Sequence, residues 1–240
     1  MLIVARFIRN AFSKDPDRRL GAVNMVANKL LPDYRLTWSQ IDWWHDAEFN
    51  AYLDRFNERA GINFNTHRRF MLAQLLKLVA EVEGDTAECG VYLGASSWLI
   101  CGVGRKHHLF DSFEGLSEPD SADGTHWKRG VLSAPEDAVL NNLAPFREQL
   151  EFHRGWIPDR FADVADRKFA FVHVDVDLYQ PTRDSVEFFY SRLSPGGILL
   201  CDDYACTTCP GATKAIDEFL ADKPEPMIAL DAGGGFFIKR

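Results

Sequence analysis

Two acidic clusters, each closing an apolar run, hold the residue types best suited to chemistry: Phe171-Val172-His173-Val174-Asp175-Val176-Asp177 and Ile198-Leu199-Leu200-Cys201-Asp202-Asp203. If the two runs are neighbouring parallel strands, their carboxyl ends bring several carboxylates to one sheet edge, where α/β proteins place ligands. Oxygen donors in that number suit a divalent cation. Mg2+ prefers octahedral oxygen ligands and keeps positions for water or substrate, so three Asp side chains can hold it and leave room for two hydroxyls. One Asp-Asp pair is explained by the use of Asp to end strands and start loops; two clusters on consecutive strands favour the metal site. His173 stands one pleat deeper than Asp175 and reads as a core histidine rather than a ligand. His107-His108, at a strand start, reads as structural.

The elements that must position these acids follow from periodicity. From Met71 the apolar positions Met71, Leu75, Leu78, Val79 and Val82 trace an amphipathic helix that Gly84 ends. Strands are then expected near 86–91, 107–111, 149–153, 169–175, 197–202, 226–230 and 235–239, with helices near 95–104, 135–144, 158–165, 180–193 and 211–222. Alternating strand and helix means a parallel sheet covered on both faces. Asp231-Ala232-Gly233-Gly234-Gly235 turns the last two strands into an antiparallel hairpin. The expected fold is therefore α/β, a doubly wound, Rossmann-like seven-stranded sheet of the class I methyltransferase kind. Residues 1–62, with Trp38, Trp43, Trp44, Phe49, Tyr52 and Phe56 among charges, read as a helical appendage, and residues 63–240 as the main domain. The polar segment Glu114 to Gly130 is a long loop with His126 and Trp127 placed to reach a site, or else a solvated insertion.

A second constellation follows the first strand. Glu88-Cys89-Gly90-Val91-Tyr92-Leu93-Gly94-Ala95-Ser96-Ser97 gives small residues at a turn that opens a helix, where a ligand can approach the backbone. The spacing is not G-x-G-x-x-G, which speaks against a nicotinamide oxidoreductase. About twenty residues on, Asp111 ends the second strand, where such folds bind ribose hydroxyls. Together these indicate an adenosine-containing ligand. Glu88 is a candidate to face the cationic end of S-adenosylmethionine.

At 240 residues, 46% of them hydrophobic, the chain can fill the core of one large α/β domain. Its net charge of −8 argues against nucleic acid, whose phosphates are met by Lys and Arg. A small or sugar-like substrate is favoured. No stretch approaches the roughly 18 apolar residues of a membrane span, and the Arg-interrupted Met1–Arg9 segment is too short for a secretory core. That segment reads as a docking segment at a subunit interface of a homo-oligomer, and the compartment as cytoplasmic. Five cysteines without a regular framework agree. Cys206-Thr207-Thr208-Cys209 has redox spacing but lacks the second pair that a structural zinc site requires.

Ala87-Glu88-Cys89-Gly90-Val91, Phe110-Asp111-Ser112-Phe113-Glu114-Gly115-Leu116, Val174-Asp175-Val176-Asp177-Leu178-Tyr179, Leu193-Ser194-Pro195-Gly196-Gly197 and Asp202-Asp203-Tyr204 together resemble the macrocin O-methyltransferase family, over roughly residues 65 to 222. These are metal-dependent sugar O-methyltransferases of natural-product tailoring, distantly similar in fold to catechol O-methyltransferase. The resemblance implies that Asp175, Asp202 and Asp203 bind Mg2+, that Asp177 is the general base, and that Glu88, Gly90, Ser96, Asp111 and Trp156 bind S-adenosylmethionine. Some relatives place a Lys or His base three positions after the first metal Asp; Leu178 stands there, leaving Asp177 or a base from the loop or appendage. The reaction implied is methyl transfer to a hydroxyl of a sugar or polyol, with a catechol as the second choice of acceptor. A noncatalytic S-adenosylmethionine-binding module and a nucleic-acid methyltransferase are the rival readings; the intact acids disfavour the first and the acidic balance the second.

Overall fold

The computed structural model describes residues 2–30, 46–56, 65–231 and 233–240. Trp38, Trp43 and Trp44, and the expected boundary at residue 62, lie outside the described residues. The chain divides into two compact units, Met1–Ala51 and Tyr52–Arg240. In the first, helices α1 (Leu2–Ala11) and α2 (Pro16–Leu30) pack as a hairpin. Val4, Ile8 and Phe12 recur every fourth residue and are all exposed, Phe12 to 85%.

The boundary falls within α3 (Ala47–Arg55). Its last turn belongs to the second unit, where the Tyr52 hydroxyl donates to the Ala95 carbonyl, Arg55 donates to the Asn142 carbonyl, and Phe56 stacks edge-on against Trp98, which does the same with Phe146. That unit continues with α4 (Asn65–Leu78), β1 (Asp85–Cys89), α5 (Ala95–Cys101), β2 (His107–Asp111), α6 (Glu136–Asn142), β3 (Leu150–Arg154), β4 (Phe169–Val174), α7 (Tyr179–Tyr190), β5 (Leu193–Cys201), α8 (Pro210–Leu220), β6 (Ile228–Ala229) and β7 (Gly235–Ile238). The strands form one sheet in the order β3-β2-β1-β4-β5-β7-β6. Strands β1 to β5 are parallel, and β7 runs antiparallel to both β5 and β6.

The period-2 alternation of a strand decides which side chains fill which layer. Phe171, Ile198, Leu200 and Phe236 meet Leu72, Leu75 and Leu76 of α4, and Val79 just after it, on one face; Val172, Val174, Leu199, Cys201 and Phe237 meet Val186 and Phe189 of α7 and Ala212 and Ile216 of α8 on the other. The buried stripe is thus 72, 75, 76 and 79, and the expected Leu78 is 60% exposed. Two further departures have local causes. Residues 158–165 do not form an α-helix; Phe161–Val164 is a single 3-10 turn, whose period of three puts the two buried residues Phe161 and Val164 above one another. Strand β5 begins at Leu193, opposite Phe169, and carries Pro195-Gly196-Gly197 as an irregularity where the register with β4 shifts.

Candidate active site

Parallel strands β1, β2, β4 and β5 all end at one edge, and the turns leaving that edge hold unusual backbone. Tyr92, Phe113, Asp177 and Ala205 follow β1, β2, β4 and β5 respectively and all have positive φ, as does Leu132 in the long loop after β2. Such conformations are sparsely populated for residues with a Cβ and gather at ligand sites. Tyr92, Leu132 and Asp177 line the same cleft, of about 810 Å3, together with Gly90, Ser96, Asp111, Trp127, Trp156, Asp175, Asp202 and Asp203.

The acids converge there. Asp177, Asp202 and Asp203 are buried and Asp175 partly so. Oxygens of Asp175 and Asp202 lie within 4.8 Å of one another and of a His173 nitrogen, and Asp177, Asp203 and the Cys209 thiol form a second such group. The Asp177 turn, at φ +61°, is held by its own N–H, which donates to Asp203 Oδ2 at 2.8 Å. Burial, reinforced by the Asp202 charge, pushes the Asp175 carboxyl up to about 7. Burial likewise raises Asp177 to about 6, although the Cys209 S–H, 3.5 Å from Asp177 Oδ1, works the other way. Asp203 stands well above the carboxylate range because it is buried beside Asp177, Asp175 and Asp202. Asp202 goes the opposite way: burial is outweighed by His173 and two arginines, which hold its carboxylate ionised. Carboxyls raised by one another and by burial hold protons that a cation can replace. A set of hard oxygen donors in that state fits a divalent cation. Cys209 is no ligand as it stands, since burial and the same acids keep its thiol protonated.

The ligand-binding half adjoins this edge. Gly90, at φ +84°, bonds through its N–H to the Phe110 carbonyl, and the Asp175 N–H reaches the Cys89 carbonyl at 2.9 Å, so the turns after β1 and β4 are stitched together. Ser96 lies in the cleft and accepts from Arg69. Asp111 also lines the cleft, but its carboxylate already accepts from the N–H groups of Val91, Tyr92 and Phe113 at 2.7, 3.2 and 2.7 Å. A carboxylate has about four acceptor sites, so one remains for a hydroxyl.

Glu88 is placed differently from expectation. It is 1% exposed and lies under the site rather than in the cleft, accepting from Ser97 and from His173 Nδ1 at 2.9 Å, with His107 Nε2 at 3.5 Å. Burial opposes its ionisation, but these partners prevail and lower it to about 2. His173 in turn lies 3.7 Å from Asp202 Oδ1 and is raised to about 10, its two acids outweighing burial. The core histidine of the sequence reading therefore links Glu88 at the end of β1 to Asp202 at the end of β5.

The loop after β2 closes on itself. Leu116 N–H donates to the Val131 carbonyl and Gly130 N–H to the Leu116 carbonyl, which makes residues 116–130 an Ω-loop with a backbone-bonded neck. Inside it, buried Asp123 accepts the first free N–H of α7, from Tyr179, at 2.6 Å. Trp127 faces the cleft and donates its indole N–H to Cys209, while His126 is exposed beside it. Arg68 and Asp123 carry no motif signal, since Arg68 meets Asp202 across 134 residues of sequence and Asp123 meets Tyr179 across 56; Cys209 stood out only for its spacing from Cys206, not for its contacts with Asp177 and Asp203.

Comparison with known proteins places this geometry. A rhamnosyl-tetracenomycin-C 4'-O-methyltransferase of Streptomyces olivaceus is 34% identical over 55% of this chain and 57% of its own length. The demethyldecarbamoylnovobiocin O-methyltransferase of Streptomyces niveus is 30% identical over 65% of this chain and 66% of its own. The matches thus span less than two thirds of these relatives. Among solved structures, the O-methyltransferase NovP superposes with a TM-score of 0.64 at 28% identity, covering 72% of this chain and 79% of its own. The calicheamicin methyltransferase CalS11 does so at 0.66 over 94% of each chain, and at 18% identity that likeness speaks for the fold alone. The sheet with its reversed β7 is that of the class I O-methyltransferases. The model of the macrocin-O-methyltransferase (TylF) family matches residues 66–239, which hold the whole sheet and every cleft acid, and the chain belongs to that family.

Proposed function

We propose that the protein is an S-adenosylmethionine-dependent, Mg2+-assisted O-methyltransferase acting on a hydroxyl of a sugar or other vicinal-diol small molecule. The observation that carries this reading is the junction of Gly90 and its turn with Asp175, Asp177, Asp202 and Asp203 in one cleft. Asp175, Asp202 and Asp203 are the residues to hold the cation. When bound, S-adenosylmethionine supplies an electrophilic methyl group, and Mg2+ supplies a Lewis acid that lowers the pKa of a nearby hydroxyl. Asp177 accepts the hydroxyl proton, and a cation on the neighbouring acids keeps it ionised for that task. Gly90 borders the space for the methionine portion, Ser96 and Asp111 offer polar contacts, and Trp156 offers an aromatic wall. Glu88 acts from beneath, through His173. The names of the relatives, methyltransferases of a rhamnosyl tetracenomycin and of mycinamicin III, support a glycosylated natural product as acceptor. The exposed stripe Val4, Ile8 and Phe12 supports α1 as a docking surface of a homo-oligomer. Five free thiols support a reducing, cytoplasmic setting; no helix among the described residues is long and apolar enough to cross a membrane.

The test is calorimetric titration of S-adenosylmethionine and of Mg2+ into wild type and Asp202→Ala, with NADH as control, followed by turnover of diol acceptors with and without chelator. Binding of both ligands, loss of metal binding in the variant and chelator-sensitive methylation are expected. Absence of S-adenosylmethionine binding sinks the reading; methylation indifferent to chelator removes the metal from it.

A further inference from the structure

Resting on the metal reading above, we infer that Arg68 is an internal counter-ion that holds Asp202 in the metal-free protein and is displaced when the divalent cation binds. Arg68 lies on α4, and its Nη1 meets Asp202 Oδ2 at 2.7 Å across 134 residues of sequence. The other oxygen, Asp202 Oδ1, faces the buried His173 ring at 3.7 Å. A cation taking Asp202 as a ligand therefore competes with the guanidinium for Oδ2. The grip is built to be released. Arginine binds carboxylates most firmly through two parallel N–H bonds, whereas here one nitrogen does the work and the buried Nε has no hydrogen-bond partner. The guanidinium lies in the cleft wall against bare Gly233, where a Cβ would approach its Nε and Nη2 to 3.0 Å. The neighbouring Arg69 is differently employed, on Ser96. Four carboxylates crowded together without a metal need at least one such neutralising group, because like charges in a buried site oppose one another. Two cations sharing one carboxylate are coupled, each weakening the other's hold, and such couplings commonly amount to 5–150-fold.

The experiment compares wild type with Arg68→Met, without cofactor or acceptor, reading Mn2+ binding by electron paramagnetic resonance, Mg2+ binding by calorimetry and thermal stability with and without metal. The variant is expected to bind either ion about tenfold more tightly and to melt lower than wild type when metal-free, with saturating Mg2+ closing the gap. Equal or weaker metal binding in Arg68→Met overturns the inference and makes Arg68 a support for the metal site. Absence of metal binding in both proteins overturns it together with the metal part of the proposed function, while S-adenosylmethionine binding tests the remainder separately. Should the variant not fold, the wild type alone decides. The Arg68 guanidinium N–H resonances, protected by Asp202, should exchange faster on saturation with Mg2+, and unchanged protection overturns the inference.

Discussion

Gly90 and Asp175 stand so close that a Cβ on Gly90 would lie 1.8 Å from the Asp175 carbonyl oxygen. The contact is backbone against backbone and cannot be relieved by rotating a side chain. It joins the turn expected to cradle the cofactor to the first acid of the metal edge, so neither can shift alone. Gly90→Ala adds this clash to an unfavourable positive φ and should cost about 3 kcal/mol or more. Chemical denaturation measures the loss. If the variant folds, calorimetry should show both S-adenosylmethionine and Mg2+ binding impaired; an unimpaired variant would refute the coupling of the two turns.

Asp177→Asn keeps the shape of the side chain and the backbone bond from its N–H to Asp203, but removes the proton acceptor. We expect kcat to fall by about 10²–10⁴-fold, with S-adenosylmethionine affinity little changed. A variant retaining most of its activity would pass the role of base to the loop, where His126 packs beside Trp127.

The acid cluster sets a pH dependence of definite sign. Asp175 and Asp177 have folded values of about 7 and 6 against 3.8 unperturbed. Raised values mean that the metal-free fold binds protons more tightly than the unfolded chain. Their contribution to stability is thus fully present below about pH 4 and is lost as pH rises through 6 to 7. Asp202, whose value is lowered, titrates below this window. A divalent cation takes the place of those protons. Mg2+ should therefore raise the melting temperature more at pH 8 than at pH 5.5, and its affinity should fall as pH drops below about 7. Differential scanning fluorimetry across that range checks both, and a shift independent of pH would count against metal at these acids.

Far from the cleft, Glu225 fastens the chain end. It accepts from the Tyr190 hydroxyl, from Lys239 Nζ at 2.7 Å and from the Arg240 N–H at 3.1 Å. Burial opposes its charge, yet Lys239 and Tyr190 bring it down to about 2. The stability it contributes is present above about pH 4.5 and fades as pH falls toward 2. Glu225→Gln should cost about 1–3 kcal/mol at pH 7, with the deficit shrinking in acid. Urea denaturation at pH 7 and pH 3 provides the comparison.

The sheet was legible because its strands obey a local rule. The bounds of β2, His107–Asp111, follow from Leu109-Phe110 closed by Asp111, which needs no tertiary information. The clusters at Asp175 and Asp202 were legible for the same reason: each ends a run, and parallel order brings ends together. Glu88 was not. Its type and place near the end of β1 suited a ligand's cation, but whether it faces the cleft or the layer beneath depends on its setting between Leu109 of β2 and His173 of β4, its register partners. Arg68 was equally hidden, because an arginine on an amphipathic helix looks solvent-bound until packing turns it toward Asp202. The segment 158–165 misled because its two buried residues, Phe161 and Val164, are spaced as well for one 3-10 turn as for a helix.

The Ω-loop neck has a consequence for diversification. Leu116 and Val131 close the loop through main-chain bonds at a neck that requires Gly115 to stay bare, since a Cβ there would lie 2.5 Å from the Val131 carbonyl oxygen, and Asp123 pins the loop to α7. Between Asp123 and the neck, residues 124–129 tie to the scaffold through Trp127, whose indole N–H meets Cys209, and lengthening the stretch around it adds only about 0.6 kcal/mol of closure entropy per doubling. The cleft wall can therefore change in length on either side of Trp127 while the sheet and the Trp127–Cys209 tie stay as they are.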